Sequence, residues 1–208
     1  MRSSFIIIGA FILGCIFGLC GIIPEQVSGS DLTTWILYAL MLQVGIGLGR
    51  DPQIVRVVKS IRPRLLLLPL ATIGGGLIAS FLISFAISRW SAAEVMAVGS
   101  GFGYYSLSSI LITSLKEASI GAQAAAELGT IALIANIFRE MITLLFAPFM
   151  MKHFGPAAPI SAGGATTADV TLPVITNVCG KEWIFASILH GVLVDFSVPF
   201  LVPFFCSL

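Results

Sequence analysis

The sequence is poor in charged side chains. Asp, Glu, Lys and Arg together make up 10% of its 208 residues, against about 25% in an ordinary soluble domain. A water-soluble fold of this size could not cover its surface with so little charge, and 57% of the residues are hydrophobic. The composition therefore predicts a protein whose surface is solvated by lipid rather than by water.

Two further scarcities exclude classes of ligand. The net charge is only +1, so the chain has no basic footprint for nucleic acid. The four cysteines form no C-x-x-C pair and no Cys/His spacing typical of a metal site. We therefore expect no nucleic acid, no metal and no cofactor among the ligands, and we expect the cysteines to be small packing residues in helices.

Apolar runs that could cross a bilayer recur along the chain. A crossing needs ~20 apolar residues, and such runs lie at 5–23, 32–48, 65–87, 95–115, 119–151, 160–178 and 183–205. The first run is too long for a typical signal peptide and no cleavage site follows it, so we interpret it as a retained span. The pattern predicts an all-α polytopic membrane protein with about five to seven transmembrane helices, forming a single transmembrane domain over residues 1–208.

The distribution of Lys and Arg predicts the orientation in the cytoplasmic membrane. Five of the eleven lie in the loop between Arg50 and Arg64, and none lies in the loop 24–31. Loops rich in Lys and Arg stay in the cytoplasm, so the N-terminus is predicted to be cytoplasmic. The C-terminus is predicted to be extracytoplasmic whether the runs 95–115 and 160–178 both cross or both re-enter. Two added crossings and two re-entrant segments both leave the end of the chain on the same face of the membrane.

Two of the apolar runs are interrupted by glycines and hydroxyl residues. They read Gly99-Ser-Gly-Phe-Gly-Tyr-Tyr-Ser-Leu-Ser-Ser109 and Gly163-Gly-Ala-Thr-Thr-Ala-Asp-Val-Thr-Leu-Pro173. Non-helical backbone survives at membrane depth only when it is buried in protein or lines a watery cavity. Each run is therefore predicted to be a broken or re-entrant helix, and two of them together favour a transporter site over close helix packing.

The interruptions also predict where an anion could bind. In the first run the second half-helix is expected to start near Tyr104 or Tyr105, where free N–H groups and the helix dipole attract a carboxylate. In the second run Thr166 and Thr167 are predicted to cap the following helix. A solute with a carboxylate would therefore rest on one of these helix ends.

Ionisable residues inside apolar runs are a second signal, since an isolated charge at the bilayer centre costs ~2.5–3.5 kcal/mol or more. Asn136, Arg139, Glu140 and Thr143 share one helix face, which should look inward. For Arg139 a functional role and a structural ion pair are both open, and Glu127 is expected near a membrane surface. His190 is expected to make a hydrogen-bonded contact between helices, with a proton relay as the alternative.

The predicted solute-binding residues lie in or beside the interrupted runs and on this polar face. They are Tyr104, Tyr105, Ser106, Ser108, Ser109, Asn136, Arg139, Glu140, Thr166, Thr167 and Asp169. The predicted proton carriers are the titratable residues within apolar runs, namely Glu140, Asp169, His190 and Asp195.

Four motifs in this order and spacing resemble the bacterial lysine exporter LysO family. They are the run 99–113, the pair Arg139-Glu140, the run 163–174 and the pair His190-Gly191. The resemblance covers essentially the whole chain. It implies export of L-lysine and of toxic analogues such as thialysine across the inner membrane, driven by proton entry. It also implies that Glu140 occupies an acidic position needed for transport.

The chain departs from that family in one respect. Members are commonly longer, with extra N-terminal spans that carry a further acidic residue, and this chain lacks them. The resemblance therefore implies a split exporter completed by a small membrane subunit, or a homo-oligomer. The expected partners are L-lysine, protons, membrane lipid and such a subunit.

Other functions are compatible with some of the same residues. A cation/proton antiporter would use the same carboxylates and broken helices for Na⁺ and H⁺. An intramembrane aspartyl protease would use Asp169 and Asp195, but Asp169 follows Thr-Thr-Ala rather than the Gly-x-Gly setting typical of that class. A subunit that only stabilises a partner is disfavoured, because structural spans seldom keep so many costly polar groups. We therefore expect a transporter and not an enzyme.

Overall fold

The structure, a computed structural model, describes residues 63–208 together with Leu42 and Ile46. The predicted spans 5–23 and 32–48 and most of the basic loop lie outside the described residues, except that Leu42 and Ile46 are helical. Apart from Leu42, the described residues belong to one compact unit of the chain, Gly45–Leu208. A single domain over residues 1–208 therefore stays a prediction.

Residues 63–208 form helices and short turns, with no strand among them. Numbered along this part of the chain, the helices are α1 (Pro63–Ser84), α2 (Ala92–Gly99), α3 (Tyr105–Ile120), α4 (Ala122–Phe154), α5 (Ala157–Gly163), α6 (Leu172–Cys179) and α7 (Ile184–Cys206). Single 3₁₀ turns occupy Gly164–Ala168 and Lys181–Trp183. The all-α class is confirmed.

Three helical segments of the described part are long and apolar enough to cross a membrane. They are Leu65–Ser84, Ala122–Phe154 and Lys181–Cys206. Large apolar side chains such as Leu67, Phe138 and Phe200 are exposed on them, as lipid contact requires. These segments confirm the spans predicted at 65–87, 119–151 and 183–205, with ends that differ by a few residues.

The run 95–115 is interrupted where its glycines predicted. Helix α2 ends at Gly99 and α3 begins at Tyr105. Between them the chain makes a tight turn in which the Tyr104 N–H donates to the Gly101 carbonyl at 2.7 Å. Gly103 sits at φ +101°, a left-handed conformation that favours glycine.

This interruption reverses the chain. Lys116 Nζ, near the end of α3, lies 3.6 Å from Glu94 Oε1 in the first turn of α2, and both side chains are buried. Glu94 also closes a capping box with Ser91 at the start of α2. A continuous helix would separate positions 94 and 116 by about 33 Å. Helices α2 and α3 therefore form a hairpin, called here the first hairpin.

The run 160–178 also turns back on itself. Helix α5 ends at Gly163, the 3₁₀ turn follows, and α6 ends at Cys179. Cys179 Sγ lies 3.9 Å from the Pro156 carbonyl oxygen just before α5, and Ile160, Ile175 and Cys179 share one apolar cluster. Helices α5 and α6 with the turn between them form the second hairpin. Only Gly155 and Pro156 separate α4 from α5, which begins at Ala157.

The two hairpins enter the helix bundle from opposite ends. The open end of the first hairpin lies where α1 finishes and α4 starts, and there Arg89 pairs with Glu127. The open end of the second hairpin lies where α4 finishes, and its apolar cluster packs against Leu68 near the start of α1. The tips meet between these ends, where the Ala165 N–H donates to the Phe102 carbonyl at 2.8 Å.

Candidate functional site

The two hairpin tips and α7 enclose an open cavity of about 350 Å³, within the ~300–1,000 Å³ typical of ligand sites. Its walls come from three places in the chain: the first tip with the start of α3, the second tip, and the middle of α7. The lining residues are Gly103, Tyr104, Tyr105, Ser106, Ala165, Thr166, Ala168, Asp169, Val170, Val192 and Asp195.

The cavity combines two carboxylates with a helix N-terminus. Asp169 comes from the second tip and Asp195 from α7, and Asp169 Oδ1 accepts a hydrogen bond from the Val170 N–H at 2.6 Å. Tyr105 and Ser106 begin α3, which has no side-chain cap on its first N–H groups. The carboxylates suit ammonium groups, and the helix start suits an anion. Within residues 63–208, no three His, Cys, Asp or Glu side chains come together as a metal site.

Asn136 on α4 contacts the first tip rather than the cavity. Its Oδ1 accepts from the Gly103 N–H at 2.7 Å. Its Nδ2 donates to Ser108 Oγ at 3.3 Å and to the Ala132 carbonyl at 2.8 Å. The side chain is therefore engaged by protein groups on all sides, and Ser108 is buried with it.

Arg139, one helical turn further along α4, contacts the second tip. Its Nε donates to the Ala162 carbonyl at 2.8 Å and its Nη2 to the Ser161 carbonyl at 2.9 Å. The guanidinium also lies over the Phe102 ring of the first tip, 5.6 Å from the ring centroid. Among the described residues no carboxylate forms a salt bridge with Arg139, so the predicted alternative of a structural ion pair is not seen there.

His190 on α7 contacts both α1 and the second tip. Its Nε2 lies 2.9 Å from Thr72 Oγ1 on α1, and its Nδ1 lies 3.1 Å from Thr167 Oγ1 in the second tip. Ser187 Oγ, one turn earlier on α7, donates to the Thr167 carbonyl at 2.9 Å. The ring is fully buried. This is the hydrogen-bonded contact between helices predicted from the sequence, and the proton relay stays a prediction.

The predicted caps of the second half-helix are wrong. The Thr166 hydroxyl donates to the Gly163 carbonyl at 2.9 Å, and the Thr167 hydroxyl donates to the Gly164 carbonyl at 2.7 Å. Both hydroxyls therefore act as donors within the 3₁₀ turn, where the carbonyl three residues back is within reach. Helix α6 starts only at Leu172 and has no side-chain cap.

The predicted site residues divide into two groups. Tyr104, Tyr105, Ser106, Thr166, Asp169 and Asp195 line the cavity, whereas Ser108, Ser109, Asn136, Arg139, Glu140, Thr167 and His190 do not. Glu140 lies on α4 and is half-buried. Sequence reasoning missed the apolar lining residues Val170 and Val192, because an apolar residue in an apolar run carries no signal of a cavity.

The sequence matches one family model and is similar to known proteins. A family model described as "Lysine exporter LysO" matches residues 8–206. A protein of Escherichia coli (strain K12) named "Lysine exporter LysO" is 29% identical over 202 residues, covering 96% of this chain and 62% of that protein. The chain thus spans less than two thirds of that relative's length.

A second relative has a similar length to this chain. It is a protein of Haemophilus influenzae named "Putative lysine exporter", which is 31% identical over 205 residues. The match covers 97% of that protein and 97% of this chain. No solved structure matches the sequence. Because the family model extends over nearly the whole chain, including both hairpins and the cavity, the chain belongs to the LysO lysine exporter family.

Proposed function

We propose that this chain exports L-lysine and lysine analogues, and that the cavity at the hairpin tips is the lysine site. Family membership supports the substrate, and the composition of the cavity carries the assignment of the site. Lysine has one carboxylate and two ammonium groups. The cavity offers the complementary set: the free N–H groups at the start of α3, and the carboxylates of Asp169 and Asp195.

We further propose that the second hairpin enters from the cytoplasm and the first from outside. The basic loop before α1 sets this orientation, because such loops stay cytoplasmic. Lys152 and Lys181 then lie at the cytoplasmic end, whereas Arg89 and Lys116 at the outer end are each paired with a glutamate. In this arrangement the C-terminus is extracytoplasmic and the chain lies in the inner membrane.

Proton-coupled antiport follows from competition for the cavity carboxylates. An ammonium group and a proton stabilise the same carboxylate, so binding of one favours release of the other. A proton entering from outside would then displace lysine outward and reset the site. Glu140 does not line the cavity, so in this scheme it carries protons and does not bind lysine.

The complete exporter is proposed to contain further transmembrane spans. The chain covers 62% of its relative in Escherichia coli, which leaves room for spans contributed by a small membrane subunit or by a second copy. The second relative is covered to 97%, so the test must include the chain by itself as well as the chain with a partner.

Export in cells tests the proposal. A strain without its own lysine exporter receives the chain alone, or with any short membrane protein encoded beside it, and lysine efflux and thialysine resistance are measured. We expect efflux with the unaltered chain and its loss in Asp169→Asn and Asp195→Asn. Glu127→Gln is the matched control, because that carboxylate sits in an exposed ion pair with Arg89. Equal efflux from all variants would contradict the assigned site.

Cation/proton antiport is the second candidate, because two carboxylates in one cavity also suit a small cation. Proteoliposomes separate the two functions. A sodium gradient that moves protons without lysine would favour the cation antiporter, and a lysine gradient that moves protons without sodium would favour the exporter.

A further inference from the structure

Helix α4 meets both hairpin tips through two side chains on one face. Asn136 and Arg139 are three residues apart, so they project from neighbouring positions of the helix surface. Asn136 reaches the first tip at Gly103, and Arg139 reaches the second tip at Ser161 and Ala162. Both contacts are made to backbone groups rather than to other side chains of the tips.

The Asn136 amide has no polar atom left for a solute. Its carbonyl oxygen holds the Gly103 N–H, and its two amide hydrogens are taken by Ser108 and by the Ala132 carbonyl. Only 4% of the residue is exposed. The Gly103 N–H lies in the tight turn of the first tip, so without Asn136 it would be an unsatisfied donor inside the protein.

Arg139 satisfies the end of a helix that stops inside the protein. Helix α5 ends at Gly163, so no later N–H group of the helix donates a hydrogen bond to the carbonyls of Ser161 and Ala162. The planar guanidinium donates to both carbonyls at once, a geometry that a lysine ammonium does not reproduce. Its position over the Phe102 ring brings the same side chain against the first tip.

The two tips pack closely against each other. A Cβ added at Gly103 would lie 3.2 Å from the Gly163 carbonyl oxygen, and Gly164 adopts φ +63° beside Arg139. A small shift of either tip would therefore displace cavity groups that the tips carry, among them Tyr105 and Asp169.

From these contacts we infer that Asn136 and Arg139 are positioning residues: they fasten the two hairpin tips to α4 and do not bind the substrate. This inference rests on the proposed function, since it assigns the residues to the geometry of the lysine cavity. It replaces the substrate-binding role that the sequence predicted for both.

Competition between lysine and cadaverine tests the inference. Cadaverine is lysine without its carboxylate, so a residue that binds the carboxylate affects lysine alone. In proteoliposomes, Asn136→Ala and Arg139→Gln are expected to lower lysine flux on the order of 10-fold, as loss of a buried hydrogen-bond partner implies. They should leave the ratio of the lysine and cadaverine inhibition constants unchanged. A selective loss of lysine binding would overturn the inference.

Amide hydrogen exchange provides a readout in the protein itself. Asn136→Ala should speed exchange in segment 100–105, Arg139→Gln should speed it in segment 161–168, and Arg139→Lys should lie between Arg139→Gln and the unaltered chain. Ile137→Ala, an exposed neighbour on α4, should change neither segment nor the flux. Lost flux with unchanged exchange at both tips would contradict a positioning role. If the unaltered chain carries no lysine, alone or with a partner subunit, while the variants show these exchange changes, only the proposed function is refuted.

Discussion

Labelling of single cysteines from the two faces of the membrane tests whether the first hairpin returns to the face it enters. Ser88 precedes α2 and Ser119 lies in the last turn of α3, and both are exposed. Each is replaced by cysteine in a variant whose four native cysteines have been removed. A membrane-impermeant maleimide is then applied to intact cells and to inside-out vesicles.

The expected labelling pattern depends on how far apart the two ends of the hairpin lie, and the ion pair at its open end fixes that distance. Positions 94 and 116 would be about 33 Å apart in a continuous helix, roughly the ~30 Å of hydrocarbon in a bilayer. The structure instead holds Lys116 Nζ 3.6 Å from Glu94 Oε1. Ser88→Cys and Ser119→Cys should therefore react from the same face, and Lys152→Cys, at the far end of α4, should react from the other.

The alternative gives an opposite pattern. If α2 and α3 crossed the membrane in series, Ser88→Cys and Ser119→Cys would react from opposite faces. Lys152→Cys, which α4 separates from Ser119, would then react from the face that labels Ser88→Cys. That result would refute both the hairpin and the reasoning from the Glu94–Lys116 contact. Reaction of Ser88→Cys and Ser119→Cys only in intact cells would in addition support the proposed orientation, with the first hairpin open to the outside.

Further changes have defined outcomes. Lys116→Met leaves the Glu94 carboxylate buried without its cation and should lower the free energy of unfolding by about 3–5 kcal/mol, measured by denaturation in detergent, and adding Glu94→Gln should recover part of the loss. Gly164→Ala places a Cβ against a backbone carbonyl of the other tip and should abolish efflux. Gly155→Ala also replaces a glycine of positive φ, but the space around it is open, so it should cost only the ~1–3 kcal/mol of backbone strain. Glu140→Gln should alter the pH dependence of efflux, and an unchanged pH profile would remove Glu140 from the proton path.

The sequence predicted the interruptions well because their cause is local. Three glycines within five residues weaken a helix, and α3 starts at Tyr105, as the pattern from Gly99 to Ser109 indicated. Whether the chain crosses or returns at such an interruption depends on a contact between distant residues. The pairing of Glu94 with Lys116 has no signature in the sequence, so re-entry could not be derived from it.

The roles of the polar residues on α4 were harder to predict for a related reason. The spacing of Asn136 and Arg139 indicated an inward polar face, and both do contact the protein interior. Their partners are backbone groups of the hairpin tips, which exist only once the tips are placed. A buried polar side chain looks the same in sequence whether it binds a solute or satisfies the backbone, and only the bonding geometry separates the two.

Protection of a cavity residue by lysine tests the central claim most directly. Ser106 lines the cavity at the start of α3, so the alkylation rate of Ser106→Cys in the purified protein reports occupancy of the site, with Ser119→Cys as the control outside it. We predict that lysine slows alkylation at position 106 over the same range of concentration in which it saturates transport. Alkylation at position 119 should be unaffected. Saturable lysine transport with no protection at position 106 would show that the substrate binds elsewhere.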